Sequence, residues 1–203
     1  MKDLNAIYFQ YQTFQKFFEV FGEKNVVLKK FDPKNFPDGC VVKDFCQTFG
    51  INLREQEIVR ANVSLPKEVL NSIYILRKNY PKLNILPFHC YFLAKLIKDL
   101  LPNYKFTPFK ISKKVIKPIV EANIEDVRWM ENVLGEPLIN EEALKEPEPS
   151  WVVKTEEDLL TVPDKVVDAL RNYTNYKLSN TKSMPQQVAE MLYQILKENF
   201  PDI

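Results

Sequence analysis

One histidine, three cysteines and a scatter of carboxylates are the side chains here that could serve as bases, nucleophiles or metal ligands. His89 lies in Pro87-Phe-His-Cys-Tyr-Phe92, an apolar setting. A catalytic imidazole needs a nucleophile or acid beside it, and neutral imidazole is often buried. A packed, hydrogen-bonded histidine is therefore expected. Cys40, Cys46 and Cys90 form an odd set with no C-x-x-C pair. A structural zinc site needs about four ligands at tight spacing, so reduced thiols in a cytosolic protein are expected, with no metal. No G-x-S-x-G marks a nucleophilic serine. Glu141 with Glu142, and Glu156 with Glu157 and Asp158, are adjacent acids that would suit acid–base work. They flank a proline-rich stretch and a helix start, where acids complement the helix dipole.

Two patterns bear on anions. Tyr104-Lys-Phe-Thr-Pro-Phe-Lys-Ile-Ser-Lys-Lys-Val-Ile-Lys117 interleaves five lysines with three rings. That mixture can grip single-stranded nucleic acid or a phosphorylated ligand, and it also describes a solvated loop and helix edge. The four glycines are Gly22, Gly39, Gly50 and Gly135. A phosphate cradle needs several close together, so that backbone N–H groups converge on the anion. Neither G-x-x-x-x-G-K-[ST] nor G-x-G-x-x-G is present. The chain has no self-contained nucleotide loop of either common kind.

Helices dominate the elements that would position these groups. Leu4, Ile7, Tyr8, Tyr11, Phe14, Phe17, Phe18 and Phe21 fall at helical spacing and end at Gly22. Asn25 to Phe31 is β-branched without helical period and reads as a short strand. Asp38 is placed to cap a helix with face Val42, Phe45, Cys46 and Phe49, closed by Gly50. Ser64 and Pro66 suit the start of a helix with face Leu65, Val69, Ile73 and Leu76. A further helix is expected over 84–101, and another from Asn123 to Gly135. Thr161 with Asp164, and Ser183 with Gln186, resemble capping boxes. They open helices with faces Val166, Val167, Leu170, Tyr173 and Val188, Met191, Leu192, Ile195. The fold class expected is mainly α with one or two short strands.

Composition is that of an ordinary globular chain: 203 residues, 45% apolar, net charge +1. That balance argues against a whole-protein nucleic-acid binder. Charge is uneven: residues 121–160 hold twelve acids against three bases, whereas residues 1–120 carry a net +10. Lys145-Glu-Pro-Glu-Pro-Ser150 reads as an extended linker. The organisation expected is 1–144, a linker over 145–154, and an appended helical hairpin over 155–203. No secretory leader or membrane span is expected, since the apolar stretch from Ile85 to Leu101 is broken by His89, Lys95, Lys98 and Asp99.

The order of elements carries a resemblance. Phe18 to Phe31 (FEVFGEKNVVLKKF), Val42 to Gly50 (VKDFCQTFG) and Asn62 to Glu68 (NVSLPKE) follow one another as in bacterial sulfotransferase-like proteins. The likeness covers about residues 8–80 and thins toward Asn132 to Leu138 (NVLGEPL). It implies the C-terminal half of a P-loop sulfotransferase-type α/β fold. It also implies sulfuryl transfer from phosphoadenosine phosphosulfate to a hydroxyl, often on a carbohydrate. In that family the 5′-phosphosulfate is held by an N-terminal strand–loop–helix, which has no counterpart here. The matching positions for weak donor contacts are Lys29, Lys30, Arg60, Asn62 and Ser64, and the resemblance assigns no catalytic residue. Without the loop, the chain alone is expected to hold no donor and show no sulfotransferase activity. It would need a missing N-terminal half, or self-associate through its uncovered aromatic face. The alternative is a non-catalytic helical protein-interaction module.

Overall fold

The computed structural model describes residues 10–54, 57–58, 64–139 and 147–203, and of residues 10–12 only the backbone. It is mainly helical, with no sheet among these residues. The described chain divides into two compact units, Met1–Val63 with Lys113–Pro147, and Ser64–Ser112 with Glu148–Ile203.

In the first unit, α1 (Gln10–Phe21) packs on α6 (Ile124–Leu134), with Phe18 and Trp129 ring centroids 6.3 Å apart. Leu4, Ile7 and Tyr8 of the expected α1 face lie outside the described residues. Phe14 and Phe18 are half-buried, while Phe17 and Phe21 remain in water. Residues 26–31 alternate between half-buried and exposed as a strand would, yet among the described residues no neighbouring strand pairs with them. The expected strand is therefore extended chain, because a strand needs a ladder partner for its N–H and C=O groups.

Helix α2 (Val41–Thr48) is capped differently from expectation. Asp38 does not cap it: Cys40 is the N-cap residue, and the Asp38 carboxylate takes the Lys43 ammonium at 2.8 Å. Asp38 has left-handed backbone at φ 50°. The C-terminal end follows expectation. Gly50, at φ 65°, lets Gly50 N–H reach Gln47 O and Ile51 N–H reach Cys46 O at 2.8 Å, so two orphan carbonyls are satisfied. Helix α5 (Lys113–Ala122) completes the unit beside α6, and Gly135 closes α6 at φ 70°.

The second unit holds the main core. Helix α3 (Lys67–Asn79) packs against α4 (Pro87–Leu100), the short α7 (Glu156–Leu159) and α9 (Met184–Asn199), and α8 (Asp164–Thr174) joins α4 and α9. Val69, Ile73, Leu76, Leu93, Ile97, Val166, Leu170, Val188, Met191, Leu192 and Ile195 form one buried cluster. The hairpin expected beyond the linker thus shares its core with the helices over 67–100. Tyr173, placed on the α8 core face by spacing, is 43% exposed. The described part of the expected linker does not stay solvated. Val152 and Val153 are buried, and Val153 N–H donates to Lys110 O at 2.9 Å while Ser112 N–H donates to Val153 O at 2.8 Å. Isolated parallel pairing of Ile111 with Val153 results. Two β-branched side chains next to the prolines supply the apolar area that docks the segment.

Ser183 caps α9 as expected, with its Oγ accepting Gln186 N–H. Thr161 does not cap α8. Pro163 is the N-cap residue, and Thr161 Oγ1 donates to Glu157 O at 2.9 Å. The capping box nearby is Thr155 with Asp158, which opens α7.

Candidate functional site

The lysines expected to touch an anion already hold partners in the first unit. Lys29 Nζ lies 2.9 Å from Asp44 Oδ2 and 3.2 Å from Thr48 Oγ1. Lys30 Nζ donates to Pro137 O at 2.6 Å and lies 3.7 Å from Glu136. The Lys30 contact brings together two segments that the sequence resemblance had paired only in order. Such half-exposed pairs contribute little stability, on the order of 0–1 kcal/mol each, but an incoming anion would have to compete with them. Ser64 is exposed, two residues ahead of the Pro66 N-cap. The N–H of Lys67, within reach of a capping serine by sequence, goes instead to Thr107 O at 2.8 Å. Arg60 and Asn62 lie outside the described residues.

Glu156 and Asp158, of the adjacent acids, have structural partners. Glu156 accepts from Tyr74 Oη and Lys78 Nζ, each at 2.5 Å, and these bonds hold its carboxyl below the usual carboxylate range. Asp158 accepts the N–H groups of Lys154 and Thr155, and its pKa is lowered by them. Glu141 and Glu142 lie outside the described residues. In the lysine-rich stretch, Tyr104 and Phe106 meet edge to face at 4.9 Å, and both are half-buried, as is Phe109. The rings turn toward protein, so they do not form an outward stacking platform. Lys105 and Lys110 belong to the second unit, whereas Lys113, Lys114 and Lys117 belong to α5 of the first. Among the described residues no group of three His, Cys, Asp or Glu side chains is placed to hold a metal ion, and no helix is long and apolar enough to cross a membrane.

Two carboxylate networks in the second unit, one buried at Glu68 and one half-buried at Glu190, escaped sequence reasoning. Glu68, 3% exposed, accepts Thr107 N–H on both oxygens at 3.1 Å. Tyr176 donates to Glu190, which Lys182 also approaches at 2.5 Å. The bond to Glu190 pushes the Tyr176 phenol up to about 12, and the Lys182 bond lowers Glu190. A phenol held that firmly is a donor rather than a base. The only sequence signal was a polar residue at an otherwise apolar helical position, which is also how a surface residue reads.

His89 is the packed histidine that its flanks imply. It is 4% exposed, its Nδ1 accepts Leu86 N–H at 3.0 Å, and its ring meets Phe88 and Phe200 at 3.9 and 4.8 Å. Burial lowers its pKa. A proton on Nδ1 would displace the Leu86 N–H bond that caps α4. The folded-state pKa lies below the unfolded value of about 6.5, so the unfolded chain binds the proton more readily. Stability from this site is complete above pH ~6.5 and declines as pH falls below it. His89 is the sole histidine, so denaturation followed between pH 5 and 7 should show proton uptake on unfolding, and His89→Gln should flatten that slope. A pH-independent midpoint in the parent protein would contradict the assignment.

The remaining feature is apolar. Phe17, Phe21, Phe31, Phe45 and Phe49 are 47%, 57%, 71%, 55% and 65% exposed, and Val20 and Val27 more than 70%. The rings pair among themselves: Phe17 with Phe21 at 6.2 Å, Phe45 with Phe49 at 4.7 Å, and Phe31 with the half-buried Phe36 at 5.3 Å. Among the described residues of that unit only Cys46 and Met130 are buried. Comparison of the chain with protein-family models, with curated proteins and with solved structures returns no match.

Proposed function

We propose that this chain is a non-catalytic helical protein that works by self-association, with the aromatic faces of α1 and α2 as its contact surface. The observation that carries this reading is the imbalance among the described residues of the first unit, where five phenylalanines lie about half or more in water and two side chains are buried. With a fully exposed ring side chain presenting about 200 Å², these five leave on the order of 600 Å² of ring-bearing surface in solvent. One side of a standard interface buries about 800 Å², and the exposed valines supply the difference.

A second copy is the occupant because its surface is self-compatible. Residues 10–54 hold seven bases and five acids, and Lys29, Lys30 and Lys43 are paired with Asp44, Glu136 and Asp38. Two near-neutral faces approach without strong repulsion, as a two-fold interface requires. A unit with so thin a core also needs cover whenever it is folded, and a second copy is always present with it. The sulfotransferase-like reading rests on element order alone, without a sheet among the described residues to carry a donor loop.

Sedimentation equilibrium should show a dimer dissociating in the micromolar range. Phe45→Ser combined with Phe49→Ser should weaken it by about 100-fold, as loss of central aromatic anchors does, with helical circular dichroism retained. A parent protein that stays monomeric at about 100 µM would overturn the proposal, even if some other protein bound it. Titration with adenosine 3′,5′-bisphosphate, the desulfated donor, should give no heat; micromolar binding would restore the transferase reading.

A further inference from the structure

The start of α4 and the end of α9 enclose an open recess of about 430 Å³, lined by Leu86, Phe88, His89, Phe200, Asp202 and Ile203 among others. It lies wholly in the second unit, so it stands or falls separately from self-association. Its size is that of small-molecule sites, about 300–1,000 Å³. Its walls are rings: Phe88 and Phe200 meet edge to face at 5.5 Å, and Phe200 is backed by Phe92 at 5.1 Å. Phe88 is 52% exposed, whereas His89 beside it is 4% exposed.

One polar group in this wall is unused. Because Nδ1 of His89 accepts Leu86 N–H, the neutral ring carries its proton on Nε2. That N–H has no hydrogen-bond partner among the described residues, on a side chain 96% buried. The Nε2–H is not sealed from solvent, and His89 borders the recess, where a ligand's acceptor can take the place of water. We propose that the recess binds a small, flat, neutral ring compound whose carbonyl or ring nitrogen accepts the Nε2–H of His89 while its face stacks on Phe88. Charge narrows the class. The Asp202 carboxylate lines the same recess and disfavours an anion. An ammonium or guanidinium group has no lone pair to offer the imidazole N–H.

Benzamide is a suitable probe, with toluene as the isostere lacking an acceptor and benzoate as the charged analogue. His89 is the only histidine, so its imidazole nitrogens give a single ¹⁵N signal set. Benzamide should bind saturably and shift the His89 Nε2–H resonance. Toluene should bind about fivefold more weakly for want of one hydrogen bond, and benzoate more weakly still. Phe88→Ala, at an exposed position that leaves the core intact, should weaken benzamide about fivefold through loss of stacking. The Phe45→Ser, Phe49→Ser variant should bind it unchanged. Absence of a saturable His89 shift up to about 20 mM benzamide, equal affinity for toluene, or an unaffected Phe88→Ala variant would each overturn the proposal.

Discussion

Leu192→Ala should lower the stability of the second unit by about 3 kcal/mol, within the range for large-to-small changes in a packed core. Leu192 is fully buried on α9, within the cluster that α3, α4 and α8 also line. Its neighbours Val188, Met191 and Ile195 are held by the same helix and cannot all move into the space. For a unit of this size, each kcal/mol shifts the melting temperature by about 4–8 °C, so a fall of more than 10 °C is expected. Tyr173→Ala, one helix away and 43% exposed, should change stability by about 0.5 kcal/mol or less. Calorimetry on both variants checks the contrast. Comparable losses in the two would mean that α8 and α9 are not packed as described.

Asn71 gives the second large effect, through hydrogen bonds instead of volume. The residue is 1% exposed in mid-helix, and its Nδ2 donates to Asp158 O and Thr161 O, each at 2.7 Å. Those carbonyls belong to α7 and to the turn that carries it into α8, so one amide ties a segment nearly ninety residues away to α3. Its Oδ1 has no partner among the described residues. Asn71→Ala leaves two carbonyls without a donor, at a cost of about 2–3 kcal/mol. The adjoining cavity of about 120 Å³, lined by Lys67, Glu68 and Thr107 among others, offers room for water to recover part of this. Asn71→Asp should be worse at neutral pH, since a carboxylate oxygen would face two carbonyl oxygens. It should improve as pH falls and the acid regains one O–H donor. Urea unfolding at pH 7 and pH 4.5, with limited proteolysis over 155–163, reads both effects. If Asn71→Asp proved as stable as the parent at pH 7, the two bonds would not exist as described.

The legibility of the chain followed the range of the interactions. The faces of α3 and α9, the Gly50 and Gly135 termini and the Ser183 box were readable because helical periodicity and capping act within a few residues of themselves. His89 was readable for the same reason: its apolar neighbours in sequence are part of its actual surroundings. Asp38 and Thr161 misled because a capping residue and a surface acceptor look alike until the φ angle or the next helix is known. Residues 26–31 kept the alternation of a strand, but pairing needs a second segment that composition cannot supply.

What the sequence determined by itself was a mainly helical protein with one strongly patterned set of core helices. The tertiary structure alone decided that Val152 and Val153 leave a proline-rich stretch for the interior, that Lys29 and Lys30 are paired with acids, and that Asn71 and Glu68 are buried. It also decided which aromatic side chains meet a core and which stay in water. Helical register is written in neighbours three and four positions apart, whereas the surroundings of a given side chain depend on partners from 15 residues away (Lys29 with Asp44) to 90 (Asn71 with Thr161), whose approach leaves no local trace in the chain.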